Sequence, residues 1–434
     1  MRYEISVFEY ITLRDMTHRG SCQQNSLNLQ FHCETALILD YSIDMTKILN
    51  RAAVTSLVLS RTIYAVNWYN VAAVFTFIAY DFGQNVSGLG LATASFYVGV
   101  GIFQVPGGIL AAKVGPRATA AYGMLLSSAA VLLTAITSNF YQFVILRFFV
   151  GVGMALFFGP GVTLVSNYFR RESQGVGVGI FNGAFYVGGS LGLFAWSVLA
   201  EAAGWRMSLA VGGGLGILGA VLLFIYVPKE EWDGFTVRMA DLKKILSNRW
   251  LLLLSLELLG FNAGTTLITT FMVYYLEGTL SLVPALAGGI GSLAPLCAIF
   301  ASPLSGQLYD KTRKPRTLLF SLGVLLAIAI AIVSLGNVYS AIAATIISGF
   351  CAGAFTVTYL AAREARAVSN EYQTLAVSWV NNIQTVAGFW SPIAFSSLVV
   401  WFGYADSWLI AATYTLVLIS VILFGREKPT HNKA

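Results

Sequence analysis

Twelve apolar stretches recur along this chain, each of about 20 or more residues, enough to cross ~30 Å of hydrocarbon at a rise of 1.5 Å per residue. They fall near 54–80, 89–112, 118–138, 141–166, 175–200, 207–227, 250–276, 283–308, 316–336, 338–362, 373–401 and 405–424. Such a chain has no surface fit for water: hydrophobic residues make up 57% and charged residues 11%, against about 25% charged in soluble domains. In hydrocarbon the backbone must satisfy its own polar groups, and helices are the way one segment does this alone. The expectation is an all-α integral membrane protein of twelve transmembrane helices.

The longest hydrophilic connection within the bundle, 228–249, divides it into six-helix bundles over 54–227 and 250–424. Polar tails remain at 1–53 and 425–434. The first reads either as a disordered segment or as a start placed upstream of Met45. The net charge of +6 belongs to topology, not to nucleic acid. Lys113 and Arg117, Arg170 and Arg171, Lys243 and Lys244, Lys311 and Arg313, and Arg363 and Arg366 fill alternate loops, while the opposite loops hold only Arg206. By the positive-inside rule both termini are cytoplasmic. The halves repeat: Arg61 and Asp81 correspond to Glu257 and Glu277 at an offset of 196, and Gly108 and Lys113 to Gly306 and Lys311 at 198. Glu172 and Glu371 correspond in the same way. Parallel duplication with both halves entering from one side is a plan of secondary transporters.

Several chemistries are excluded. His18, His32 and His431 all lie in the tails, which leaves the apolar body without a histidine ligand or base. Cys297 and Cys351 lie inside apolar stretches and do not form a disulfide framework. Gly214-x-Gly216-x-x-Gly219 matches a dinucleotide fingerprint, but inside a span with no preceding strand it carries no phosphate site. No phosphate-binding G-x-x-x-x-G-K-[ST] occurs, so no cofactor, metal or catalytic residue is expected.

Ionisable residues well inside the spans are Arg61, Arg147 and Glu257. Each costs ~2.5–3.5 kcal/mol at a helix centre on insertion scales and needs a partner or a watery cavity. Arg61 and Glu257 occupy equivalent depths, so an ion pair across the halves is one reading, and snorkelling of Arg61 to the interface the other. Arg147 either holds an anionic substrate or locks a pair within its own half. Glu257 is the candidate for carrying a coupling proton.

The loop after the second span reads Gly108-Ile-Leu-Ala-Ala112-Lys113-Val-Gly115-Pro-Arg117, and that after the eighth Gly306-Gln-Leu-Tyr-Asp310-Lys311-Thr-Arg313-Lys314-Pro-Arg316. These resemble the duplicated G-x-x-x-D-[RK]-x-G-[RX]-[RK] loop of the major facilitator superfamily. Ala112 replaces the acid in the first copy and Arg313 the glycine in the second. Arg147-x-x-x-Gly151-x-Gly153 and the glycines at 175, 179 and 183 resemble that family's fourth and fifth helices. Asn167-Tyr-Phe-Arg170-Arg171 faintly resembles monocarboxylate and oxalate/formate porters. The resemblance implies transport by alternating access, with the loops acting as latches and Glu172 and Glu371 as the nearest replacement carboxylates. It also implies a cavity lined by spans one, four, seven and ten, with help from five, eight and eleven. The candidate lining is Arg61, Tyr64, Trp68, Arg147, Asn262, Thr265, Tyr359 and Asn382.

Two arginines against one glutamate favour a small organic or inorganic anion as solute, with a coupling proton or counter-anion. Efflux of amphiphiles is the alternative within the class, and a transporter-like sensor the alternative outside it. A monomer in the lipid bilayer of a prokaryotic plasma membrane is expected.

Overall fold

The computed structural model describes residues 50–170, 174–229, 247–365 and 373–425. Glu172, Glu371, residues 1–49 and 426–434 of the tails and most of the connection between the halves lie outside the described residues. The first half contains α1 (Arg51–Trp68), α2 (Asn70–Phe82), α3 (Val86–Val114), α4 (Pro116–Thr134), α5 (Phe140–Asn167), α6 (Gln174–Ala203) and α7 (Trp205–Tyr226). The second contains α8 (Arg249–Gly278), α9 (Pro284–Thr312), α10 (Pro315–Ile332), α11 (Val338–Cys351), α12 (Gly353–Arg363) and α13 (Gln373–Ser420). Among the described residues ten helical stretches are long and apolar enough to cross a membrane, α1–α2 and α11–α12 each counting as one. The last of these runs 46 residues, and Gly403 interrupts it with a backbone turned to φ 76°.

Local chemistry sets the helix starts. Asn50, Asn85, Asn139, Asn248 and Asn337 each accept a backbone N–H of the first turn with the side chain, the preferred N-cap arrangement. Pro116, Pro284 and Pro315 occupy first-turn positions, where a missing N–H costs nothing. The first span is broken at Tyr69 between α1 and α2. One turn earlier the Val66 carbonyl accepts from Trp196 Nε1 on α6 at 2.8 Å, and Asn67 Nδ2 donates to the Gly212 carbonyl on α7 at 2.8 Å.

Small residues draw the helices together, as expected where lipid supplies no hydrophobic drive. On α5, a Cβ at Gly151 would meet the Phe96 carbonyl of α3, and one at Gly153 would meet Ser127 and Gly123 of α4. On the face away from the basic loops, Asp81 accepts from Trp205 Nε1 at 3.1 Å and pairs with Arg206. Arg206 also donates to the Thr137 carbonyl at 3.1 Å, tying α2 and α7 to the connection that follows α4.

The halves meet along α6–α9, α3–α13 and α2–α8. Gly288 of α9 lies against Ser197 of α6, and Gly90 of α3 against Pro392 and Ser396 of α13. Glu201 accepts the Ala285 N–H at 3.2 Å, and the Phe75 and Tyr274 rings lie 5.6 Å apart. These contacts belong to the helix ends remote from Lys113, Arg170 and Lys311. Toward the basic end, Gly101 and Gly108 of α3 and Gly179 and Gly183 of α6 face open space, with no atom within 4 Å of a Cβ built on them.

Candidate functional site: a caged arginine in the first half

Arg61 points into the protein from α1 and is 5% exposed. Its guanidinium carbon lies 4.4 Å from the Tyr64 ring centroid, 4.8 Å from Phe158, 5.1 Å from Phe181 and 4.6 Å from Phe185. A cation over ring faces is attracted by their quadrupoles. Nε and Nη1 nevertheless have no hydrogen-bond partner. None of the ion pairs among the described residues includes Arg61, Arg147 or Glu257. Both sequence readings of Arg61 therefore need correction. It neither pairs with Glu257 nor snorkels to the interface, because aromatic side chains of α1, α5 and α6 enclose it.

The cage extends along α1. Tyr64 packs on Trp68 at 5.5 Å and Phe157 at 5.2 Å, and Trp68 meets Phe96 at 4.6 Å, Tyr97 at 5.6 Å and Phe185 at 5.7 Å. Tyr69 and Tyr186 lie within electrostatic range of Arg61, as does Tyr359 from the second half. The Tyr97 hydroxyl reaches Thr266 of α8 at 3.5 Å. Arg61, Tyr64, Trp68 and Tyr359, four of the candidate lining residues, lie near one another in this cluster. The sequence reading missed Phe158, Phe181, Phe185 and Tyr186. Phe181 and Phe185 stand four apart on one helix face, a signal that the glycines of the same helix obscured.

Arg147 lies elsewhere in the first half. Its Nη1 donates to Asn70 Oδ1 at 3.2 Å, and the guanidinium carbon sits 4.7 Å from the Phe96 centroid. It holds α5 to the start of α2, which is the within-half alternative.

The second half contributes a polar network. Asn262 Nδ2 donates to the Gln384 carbonyl at 2.8 Å, Tyr359 donates to Asn381 Oδ1 at 2.7 Å, and Gln384 Nε2 donates to the same oxygen at 3.1 Å. Asn381, the neighbour of Asn382, is the partner of Tyr359; Asn382 is half-buried on α13. Thr265 spends its hydroxyl on the Phe261 carbonyl of its own helix at 2.8 Å. Glu257 is fully buried on α8, and its Oε2 accepts from Thr358 of α12 at 3.1 Å while Oε1 has no partner.

The two basic loops differ. Gly115 has φ 92°, closed to most side chains, where α3 turns into α4. Arg117 donates to the Phe224 carbonyl of α7 at 2.6 Å, and Lys113 is exposed. In the second half Arg313 pairs with Asp310 at 3.2 Å and with Glu364 at 2.6 Å, which holds its guanidinium above the ordinary arginine range. Tyr309 donates to Glu364 at 2.7 Å, while Lys311 is exposed and Gly306 approaches Thr356. Glu364 thus supplies a loop carboxylate that the sequence reading overlooked.

Long apolar helices in two halves that pack on one another, with a buried cation and no metal cluster or catalytic constellation among the described residues, fit a membrane carrier. The chain belongs to the Major Facilitator Superfamily, whose sequence profile matches residues 57–392. It is 24% identical over 241 residues to a probable L-galactonate transporter of Escherichia coli (strain K12), covering 49% of this chain and 53% of that one. It is 25% identical over 253 residues to the nitrite extrusion protein of Bacillus subtilis (strain 168), covering 58% and 64%. The match thus spans about half to two thirds of these curated relatives. Among solved structures, it resembles a bacterial homolog of the human lysosomal transporter Spinster in an inward-facing and unoccupied conformation. There the TM-score is 0.73 at 17% identity, with 85% of this chain and 94% of that chain covered.

Proposed function

We propose that the chain is a twelve-span secondary transporter, both termini cytoplasmic, that carries a small anion by alternating access. The observation that carries the reading is Arg61: a buried guanidinium enclosed by α1, α5 and α6 of the first half, with Tyr359 of the second half in electrostatic range, two shielded, unpartnered nitrogens and no carboxylate paired to it. A charge held that way in low dielectric favours a counter-charge that arrives and leaves. Relatives named for nitrite and galactonate agree with an anionic cargo.

Glu257 is the proposed proton carrier, since an ionised carboxylate in hydrocarbon is costly and the neutral acid is cheap. Gly108, Lys113, Gly115 and Arg117, with Gly306, Asp310 and Lys311, form the proposed gating loops. Glu172 and Glu371 are proposed to join them. Tyr64, Trp68, Asn262, Thr265, Tyr359 and Asn382 are proposed to face the solute as the halves rock. The proposed setting is a prokaryotic plasma membrane, with the protein acting as a monomer.

The test is ligand-induced thermal stabilisation of the purified protein across carboxylates, inorganic anions, neutral solutes and cations. An anion at 100 times its dissociation constant should add about 2.7 kcal/mol of apparent stability. That gain should vanish in Arg61→Ala and survive in Arg147→Ala, whose guanidinium is already engaged. Stabilisation by neutral or cationic compounds alone, unchanged in Arg61→Ala, would sink the anion reading.

A further inference from the structure

The seam between the halves closes over a carboxyl that the proposed function leaves unused. Glu277 stands in the last turn of α8, at the end remote from the basic loops. Both its oxygens are shielded from solvent, and none of the ion pairs among the described residues includes it. Thr76 Oγ1 of α2, in the other half, faces the carboxyl, and neither group has any other hydrogen-bond partner. Both halves build the surrounding seam: the Phe75 and Tyr274 rings, beside Thr76 and one turn before Glu277, lie 5.6 Å apart.

No cation stands ready to neutralise it. Glu201 of α6 acts on Glu277 as a like charge, while accepting the Ala285 N–H of α9 at 3.2 Å. These helix ends carry Asp81, Glu201, Glu277 and Asp406 against one base, Arg206. That base is spent on Asp81 and the Thr137 carbonyl. Tyr274 and Tyr275 of α8 and Tyr404 of α13 bring rings and hydroxyls without charge, and the first two turns of α3 hold no ionisable side chain. Stripping water from an unpaired carboxylate is costly, whereas the neutral acid is tolerated. The closed seam therefore suits the protonated form. When the halves rock apart at this end, water reaches the oxygens and the proton is free to leave.

From this we infer that Glu277 is a second proton-binding residue of the transport cycle. It takes up a proton from the face remote from the basic loops as the halves close there, and returns it to that face on opening. The inference rests on the alternating-access reading above, and neither on the anion nor on Glu257. Its sign is fixed by linkage: closure binds a proton, so acid favours the closed end and alkali favours opening.

The experiment measures the distance across this end by double electron–electron resonance on the full chain in lipid nanodiscs. Spin labels are placed on Tyr141→Cys and Tyr339→Cys, exposed at the starts of α5 and α11, with the four native cysteines replaced by alanine. Raising the pH from about 5 to about 8 should move the closed-to-open ratio at least about tenfold toward the longer distance, one linked proton giving up to tenfold per pH unit. Glu277→Gln, neutral throughout, should keep the short distance at both values. Glu277→Met, uncharged and of similar length, should do the same if the glutamine variant fails to fold. A shift of full size in these variants, or none with Glu277 intact, would overturn the inference. Gly288→Leu, a wedge in the same seam, separates this from the reading beneath it. Lengthening in that variant without any response to pH removes Glu277 alone and leaves the carrier standing. A distance that neither the wedge nor pH moves removes alternating access at this end, and the inference with it.

Discussion

At Arg313 a side chain takes over a backbone task usually given to glycine. The loop after α3 turns through Gly115 at φ 92°, and the equivalent turn after α9 passes through Arg313 at φ 49°. A left-handed backbone costs a residue with a Cβ roughly 1–2 kcal/mol. Arg313 offsets that by reaching Asp310 and Glu364, but at 50% exposure those pairs contribute little. Removing the side chain in two ways separates the effects. Arg313→Gly should unfold at a higher temperature than Arg313→Ala, by roughly 1–2 kcal/mol in apparent stability, because only alanine keeps the strain. Equal melting of the two variants in detergent would mean the turn relaxes without a left-handed residue. The motif in the sequence flagged this position as a departure. That Glu364, fifty-one residues on, would complete the cluster was not legible, because no local spacing connects them.

Single helices carry the rest of the sequence lesson. The asparagine caps, the first-turn prolines and the stop at Gly403 are local signals, and they delimit α1, α4, α8 and the two parts of α13 close to where the apolar runs begin and end. The break at Tyr69 was hidden because hydrophobicity continues through it; its support comes from Trp196 and Asn67 bonding across to other helices. The matched offset of Arg61 and Glu257 gave depth along the helices but not the direction each side chain faces. Arg61 turns into rings of α5 and α6, while Glu257 turns to Thr358. A helix-level test lies in α5, clamped to α3 by Gly151 and to α4 by Gly153. Gly151→Val should destabilise by about 1–3 kcal/mol or more, since the obstacle is a backbone carbonyl. Gly101→Ala, facing open space, should be neutral or stabilising by up to about 1 kcal/mol. Parallel melting curves of the two variants decide it.

For the molecule as a whole, the seam between the halves is asymmetric from end to end. Close approaches at Gly288 and Gly90 secure the end away from the basic loops, whereas a Cβ built on Gly179 or Gly183, nearer the basic end, meets no atom within 4 Å. A wedge placed in the closed seam should act on the equilibrium between carrier states as well as on stability. Gly288→Leu drives a side chain into Ser197 and should favour opening of that end. A cysteine introduced by Gly183→Cys should then react more slowly with a bulky thiol reagent applied from the basic face. With Cys22 and Cys33 replaced by serine, the remaining native thiols are Cys351, buried, and Cys297, half-buried, and they set the background. Unchanged labelling would show that the α6–α9 seam does not control access.

Trp68 gives the protein its own optical readout. This indole is hemmed in by Tyr64, Phe96, Tyr97 and Phe185, one turn and more along the same helix from Arg61. Whatever enters the cage must disturb its dielectric surroundings and the rings beside it. The emission spectrum of the unlabelled protein should therefore shift or quench on occupancy, and the Trp68→Phe difference should isolate that signal from the other eight tryptophans of the nine in the chain. Binding, and the rate at which the cage opens, can then be followed by light in the unmodified carrier.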